Sequence, residues 1–496
     1  MSENAGTAVP QVHDAPGAAR RGPGGVDARV VMLALAVLTI ALRLPAFLSS
    51  RHLVFDDGTY GVSVVDMRHG LAPYRGVFSA QGPLHFSLLY VGDLLGLHTI
   101  DGPRVTPMLA GITATIATYA IARRLLGTTA GAVAGLFAGV LVATSGSMIW
   151  TTGQVTGDGP AAALGMAAVW AALVYRDDPR LRRALVTGAL MGAALAVKPL
   201  ILPAALPVGW WLWSRRRVDH VGAAVGAAIA VWFVSALPWG LHLVWQKSVA
   251  YNSGAGPRYG KLSQLRKLSS TLSSRDLLVV GALVLALGTA LIAAWARSRG
   301  DEAQPRPSVL RRDDLIVVSV WSAVTALVLV FEPALYRNHL AVVVPPLAIL
   351  AAVTTRAPRV LAIVLVVLAP FSVANLSDIL HPTGYRGASA QLMHALEALP
   401  GNAQAISDEP GFVYRAGLRT PKLMNDASVK RIDQHLLTTA MVGDAASDPQ
   451  VCAVVVWSDR FGRDLPGLPA ALRRAGLEVA HTYGGVRALW LRPTCP

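Results

Sequence analysis

The sequence predicts a polytopic α-helical membrane protein of about eleven transmembrane helices, with a small C-terminal α/β domain held outside the membrane. Three observations carry this. Apolar stretches near the ~20 residues needed to cross hydrocarbon recur through the first three quarters of the chain. Arginine clusters recur at alternate ends of those stretches. Beyond residue 376 the composition turns into that of a soluble domain. Of the 496 residues 53% are hydrophobic and only 15% charged, with a mean hydropathy of +0.47. That is too apolar for a water-soluble chain of this length.

In order along the chain, residues 1–29 are rich in Gly, Ala and Pro with few large apolar side chains, and read as a disordered cytoplasmic tail. The expected spans are 30–48, 104–122, 128–146, 158–175, 183–198, 200–213, 221–241, 277–296, 314–331, 340–355 and 359–375. Together they make a transmembrane domain over 30–375. The first follows a basic flank and lacks a small-residue cleavage site, so it reads as an anchor, with Arg43 inside it. Segments 183–198 and 200–213 are short and divided by Lys198-Pro199.

The formal net charge is +15. Such a balance suggests nucleic acid, but the positions argue otherwise. Arg20-Arg21, Arg123-Arg124, Arg176 to Arg183, Arg215 to Arg217, Arg297 to Arg312 and Arg356 fall at alternate span ends. This is the positive-inside pattern of a chain with its N-terminus in the cytoplasm. Eleven spans then leave the C-terminus outside, and the partner is the lipid bilayer, not nucleic acid.

Five loops face outward on this topology. The first, 49–103, carries the pair Asp56-Asp57 followed by Tyr60, then Gly70 to Tyr74, then Gln81-Gly82-Pro83-Leu84. Adjacent carboxylates beside hydrocarbon are costly unless they meet water, a cation or a substrate; the bland reading is a solvated turn or helix cap. The apolar stretch Leu84 to Leu97 is too short to span and fits the interface. The second loop ends at Asp158, which Gly159-Pro160 also marks as a helix start. The third is the turn at Lys198, a phosphate contact or a snorkelling lysine. The fourth, 242–276, is basic, with Lys247, Arg258, Lys261, Arg266, Lys267 and Arg275 and one acid, Asp276. It suits anionic headgroups as well as a specific site. The fifth runs Glu332 to His339 and includes Tyr336 and Arg337.

The tail, 376–496, alternates helix-like stretches (386–399, 428–441, 464–475) with strand-like ones (403–407, 452–457, 477–482, 486–492), as a small α/β domain would. It holds both cysteines, Cys452 and Cys495, either bridged or as two thiols. The sequence shows no phosphate-cradling Gly-rich loop, no zinc-type Cys/His spacing, no Gly-x-Ser-x-Gly elbow and no convincing internal repeat.

Carboxylates on one side of a site can remove a hydroxyl proton or hold a divalent cation. Cations on the other can hold a phosphate and stabilise it as a leaving group. Asp56, Asp57 and Asp158 with Lys198, Arg258, Lys261, Arg337 and His339 have that composition at a membrane face. At this point the chain resembles the GT-C integral-membrane glycosyltransferases, in particular the bacterial relatives of protein O-mannosyltransferases and of the lipid A aminoarabinose transferase. Asp56 to Tyr60 resembles that family's Asp-Glu-x-x-Tyr, Gly70 to Tyr74 its Gly-x-x-Pro-Tyr, and Gln81 to Leu84 its x-x-Pro-Leu before an interfacial helix. Asp158, Lys198-Pro199, Tyr336 to Pro346 and Ser407-Asp408-Glu409-Pro410 are similar to later landmarks. Asp57 stands where Glu is usual, and Asn338 where a second basic residue is expected.

The resemblance implies an inverting transfer of a hexosyl or pentosyl group from a polyprenyl-phosphate-linked sugar to a glycan, lipid or protein acceptor at the outer face of the cell membrane. It implies Asp56 as the base, Asp57 beside it, and Tyr60, Gln81, Asp158, Lys198, Arg258, Lys261, Tyr336, Arg337 and His339 around the substrates. A divalent cation is an open possibility. Two other classes compete. A transporter or flippase would place charges in the middle of spans. A non-catalytic envelope assembly protein would tolerate loss of Asp56.

Overall fold

The computed structural model describes residues 27–48, 55–254, 260–299, 311–333, 335–355, 358–382 and 384–496. Residues 1–26 of the expected tail, Arg258 and residues 300–310 of the basic cluster lie outside the described residues, and the first helix already begins at Ala28. Every stretch expected to span falls on helix. Among the described residues six helices are long and apolar enough to cross a membrane: Ala28–Leu48, Gly102–Leu126, Asp158–Asp177, Val218–Trp239, Arg312–Phe331 and Arg337–Thr354. Two bent pairs bring the number to eight, against the eleven expected. The difference is one of length. Three expected spans, Leu181–Val197, Pro199–Trp213 and Arg359–Asn375, are helices shorter than a bilayer is thick, and at Ser145 the chain turns by 61° into a short helix, Gly146–Thr152. The chain is a multi-pass membrane protein.

The second bend, 100°, joins Lys261–Arg275 to Leu277–Ile292. Lys261–Arg275 lies across the bundle end with Leu262 and Leu265 exposed, as an interfacial helix does. Asp276, at the corner, accepts bonds from Ser145 Oγ (2.5 Å), Ser147 Oγ (2.6 Å) and Ser147 N (3.2 Å). Its carboxylate thus ties both bent pairs together at their breaks. The stretch 84–97 forms helix His85–Leu95, with Val91, Leu94, Leu95 and Leu97 exposed.

The tail folds as a four-stranded sheet, β1 (Gln404–Ser407), β2 (Val451–Val456), β3 (Glu478–Thr482) and β4 (Ala488–Leu491), in the order β1-β2-β4-β3. β1 and β2 are parallel and the rest antiparallel. β2 is buried along its whole length, as the unbroken run Val-Cys-Ala-Val-Val-Val requires of a central strand. Cys452 and Cys495 form a disulfide with Cα atoms 5.4 Å apart.

One face of this sheet packs on its own helices, around Val454, Trp490, Leu468 and Leu472. The other face takes in Val62 and Val65 from the first-loop helix Phe55–Arg68, beside Phe412, Tyr414 and Leu489. The first loop is therefore part of the tail domain's core. Two glycines permit it. A Cβ on Gly58 would lie 2.1 Å from Gly411 N, and one on Gly61 would lie 2.4 Å from the Tyr414 ring.

Candidate functional site

Helix Phe55–Arg68 begins at the junction of bundle and sheet, so its first turn places Asp56 and Asp57 there. Helical geometry sends neighbours about 100° apart, and the two carboxylates enter different surroundings.

Asp57 is buried and saturated. Arg104 Nη2 and Nε donate to it at 2.7 and 3.1 Å, Arg415 Nη2 at 3.0 Å, and Val155 N at 2.9 Å. Burial by itself would raise its pKa; the two guanidiniums override that and hold it at about 2. Arg104 also binds the carbonyls of Ala46 (2.8 Å) and Phe47 (2.7 Å), and Arg415 binds Asp101 (3.0 Å). Asp57 thus joins the first span, the first loop and the tail domain. This corrects the expectation that it acts beside Asp56 as a reacting carboxylate, because all its lone pairs are committed.

Asp56 turns towards the bundle end. Asn338 Nδ2 donates to its Oδ2, and Trp150 Nε1 holds Asn338 Oδ1 at 3.1 Å. Asn338 thus supplies the orienting contact where a second cation was expected. Burial raises the Asp56 pKa to about 6; Lys198 opposes the shift, and Asp158 and Asp426 reinforce it.

Lys198 Nζ donates to Asp158 Oδ2 at 2.8 Å. Its partner is contributed by the start of helix Asp158–Asp177. Lys198 ends helix Leu181–Val197 in extended backbone, and the turn is seated by Gly82 N and Leu84 N donating to Val197 O and Ala196 O at 3.1 and 2.9 Å. A side chain at Gly82 would strike Ala196 O at 2.2 Å, which explains the glycine in the Gln81 to Leu84 motif.

Three polar groups around this ion pair are buried with no hydrogen-bond partner in the protein: both ring nitrogens of His85, Asp158 Oδ1 and His339 Nδ1. Both histidines lie within electrostatic reach of Lys198 and Asp158. Burial and the adjacent Lys198 push the His85 pKa down to about 3, so its ring is neutral. Tyr60 packs edge-on against His85, with centroids 4.7 Å apart, and takes a bond from Gln81 Nε2 at 2.5 Å. Burial raises the Tyr60 hydroxyl pKa, which keeps it protonated.

The remaining expected residues scatter. Tyr336 touches His339 edge-on at 5.4 Å and is half exposed. Arg337 is exposed, on the side of Arg275 rather than of Lys198. Lys261 lies over the Phe331 ring and donates to Phe331 O at 3.2 Å, at the rim.

Sequence reasoning missed His85, Asp426 and Lys430. His85 directly follows the Gln81 to Leu84 motif, which was the available signal. Lys430 and Asp426 come from the tail domain and had none. Lys430 Nζ bonds Asn252 Oδ1 at 2.6 Å over the Tyr251 ring. Burial, partly offset by Glu332, brings its pKa down to about 8, with Lys198 adding to the fall. Glu332 lies within electrostatic reach of Lys198 and Lys430, and burial holds its carboxyl above the ordinary range. Among the described residues no group of three or more His, Cys, Asp or Glu side chains is arranged to hold a metal ion.

Residues 81–239 match the family model for dolichyl-phosphate-mannose-protein mannosyltransferase. No curated protein matches the chain. Among solved structures, the chain is similar to ArnT from Cupriavidus metallidurans bound to undecaprenyl phosphate, at 15% identity and a TM-score of 0.65, covering 93% of this chain and 97% of that one. The same protein in its apo state gives a TM-score of 0.60. The Archaeoglobus fulgidus oligosaccharyltransferase tethered to an acceptor peptide gives 0.51 at 12% identity, covering 94% of this chain and 74% of that one. These relatives share one architecture, and this chain has it: the GT-C fold of integral-membrane glycosyltransferases.

Proposed function

We propose that this protein transfers a sugar from a polyprenyl-phosphate donor to an acceptor hydroxyl, with inversion. The observation that carries this reading is the set of unpartnered polar atoms of His85, Asp158 and His339 around Lys198, next to an oriented Asp56. Buried polar atoms ordinarily have partners. A phosphosugar presents the oxygens and hydroxyls that would supply them.

Asp56 accepts the acceptor's proton while that oxygen bonds to the anomeric carbon. The bond from that carbon to the phosphate oxygen breaks, and the phosphate leaves with the electron pair. Lys198 stabilises the leaving charge, with Lys430 as a second cation above it. Asn338 holds one Asp56 oxygen, leaving the other to meet the acceptor. Asp57 positions this apparatus without touching substrate. The cluster lies where helices begin and end, which favours surface chemistry over a mid-span transport path. The N-terminus is cytoplasmic and the tail domain lies outside, by the arginine pattern.

The test is to incubate membranes containing the protein with labelled polyprenyl-phosphate sugars. Label leaving the lipid only when the protein is present supports the reading; label retained on every donor refutes it. Cysteines introduced at Ser2 and Glu478 test the orientation, since an impermeant reagent should reach only the second in intact cells.

A further inference from the structure

The Ser407-Asp408-Glu409-Pro410 motif has no part in the chemistry above, yet it builds a second cavity. Asp408 follows β1, and its carboxylate accepts bonds from Trp457 N (2.7 Å), Ser458 N (2.8 Å), Ser458 Oγ (2.8 Å) and Phe461 N (3.3 Å). It thereby sets the turn that leaves β2. Across the carboxyl ends of these two parallel strands lies a cleft of about 700 Å³, lined by Glu409, Trp457, Asp459, Arg463 and Arg487 and by Gly484-Gly485 of the β3–β4 hairpin. Open α/β sheets bind ligands at this edge, and the volume is that of a small-ligand site.

The lining specifies the ligand. Glu409 and Asp459 balance Arg463 and Arg487 in number; Asp459 pairs with Arg463 at 3.2 Å, Glu409 pairs with Arg460, and Arg487 lies over the Trp457 ring at 5.0 Å. The lining charges sum to zero, so the cleft has little net attraction for a phosphate or a free carboxylate. It offers forked donors and acceptors that suit neighbouring hydroxyls, beside the half-buried Trp457, with Tyr483 5.5 Å from it. Indole faces take up the C–H faces of sugars as apolar surface. Gly484 and Gly485 both have positive φ, +90° and +57°, and no heavy atom lies within 4 Å of where their side chains would begin, so the tip of the hairpin leaves the mouth of the cleft open.

The cleft is also physically joined to Asp56. Arg460, which pairs with the cleft's Glu409, lies over the ring of Phe55 at 4.2 Å, and Phe55 precedes Asp56.

We propose that this cleft is a binding site for uncharged sugar residues of a glycan, and that it holds the acceptor for transfer at Asp56. The second half rests on the function proposed above. The test uses the full-length protein in lipid nanodiscs on an array of neutral and acidic oligosaccharides. Neutral members should be retained. Trp457→Ala, and separately the exposed double change Asp459→Ala with Arg463→Ala, should each lower retention at least tenfold. Asp56→Asn should bind like the unaltered protein. The double variant guards against Trp457→Ala simply loosening its packing on Phe412. Retention unchanged in the double variant, retention of acidic glycans alone, or no retention at all overturns the proposal. Slow release of labelled sugar from the lipid donor to water is read in parallel, and should persist in both cleft variants. Neutral glycan binding without any such release would leave the cleft standing and remove the glycosyltransferase reading instead.

Discussion

Asp56 and Asp57 are adjacent in sequence and belong to two regions built on opposite principles. The Asp57 carboxylate is fully matched: two guanidiniums and a backbone N–H leave it no lone pair to spare. Around Asp56 the matching stops, and His85, Asp158 and His339 keep buried polar atoms without partners in the protein. A satisfied network stabilises a joint, and an unsatisfied one awaits a ligand. The two regions meet at the first turn of one helix, so Asp56 is held beside a neighbour whose carboxylate is already committed.

The largest expected effect is on chemistry. Asp56→Asn should leave folding intact and lower transfer from the labelled lipid donor about 10²–10⁴-fold, the usual cost of losing a general base. A purified variant with near-normal turnover would break the comparison at its first side.

Asp57→Ala should do the reverse. Removing one member of a buried ion pair leaves the others unpaired and costs about 3–5 kcal/mol. Here Arg104 and Arg415 lose their buried partner and keep Asp101, which sets the cost towards the lower end. A lower melting temperature and faster proteolysis between the bundle and the tail domain are expected. A stable variant with abolished turnover would return Asp57 to the reacting groups.

Lys198→Ala sharpens the comparison. Loss of a charged hydrogen bond costs about 1.5–3 kcal/mol, or roughly ten- to a hundredfold. That loss should appear in kcat/KM for the lipid donor more than for the acceptor. The variant also leaves Asp158 without its cation, so stability falls as well. Lys198→Arg should restore the stability and part of the donor response. Donor titration of correctly inserted protein decides it, and an unchanged donor response would make the lysine structural.

The smallest effect is that of pH. On the proposed function Asp56 is a base only when ionised, and its pKa is raised to about 6. Transfer should therefore rise with pH about tenfold per unit below 6 and level off above it. Asp57, held at about 2, stays ionised throughout that window and should leave no mark on stability there. A kcat/KM profile flat down to pH 4.5 would show that the limiting step does not need the Asp56 carboxylate.

Much of this was legible beforehand. The apolar stretches, the strand positions in the tail and the ordered motifs of the first loop depend on local composition and short spacing, which a chain displays directly. Arg104 and Arg415 were not legible as partners of Asp57, for they come from 47 and 358 residues away. Nor was Asp158 as the partner of Lys198, 40 residues apart. Among the described residues six to eight of the eleven expected spans are long enough to cross, because hydropathy counts apolar residues and does not register that helices Leu181–Val197, Pro199–Trp213 and Arg359–Asn375 stop short.

The sequence by itself determined that the chain crosses a membrane, ends in an α/β domain and carries an acidic first loop, since burial of apolar surface and strand periodicity act residue by residue. Only the tertiary structure decided which of two neighbouring carboxylates faces the site. That choice is set by about 100° of helical rotation and by two arginines brought in from distant segments. It also decided that the first loop is part of the tail's core, because Gly58 and Gly61 have meaning only when the helix Pro410–Arg415 lies against them.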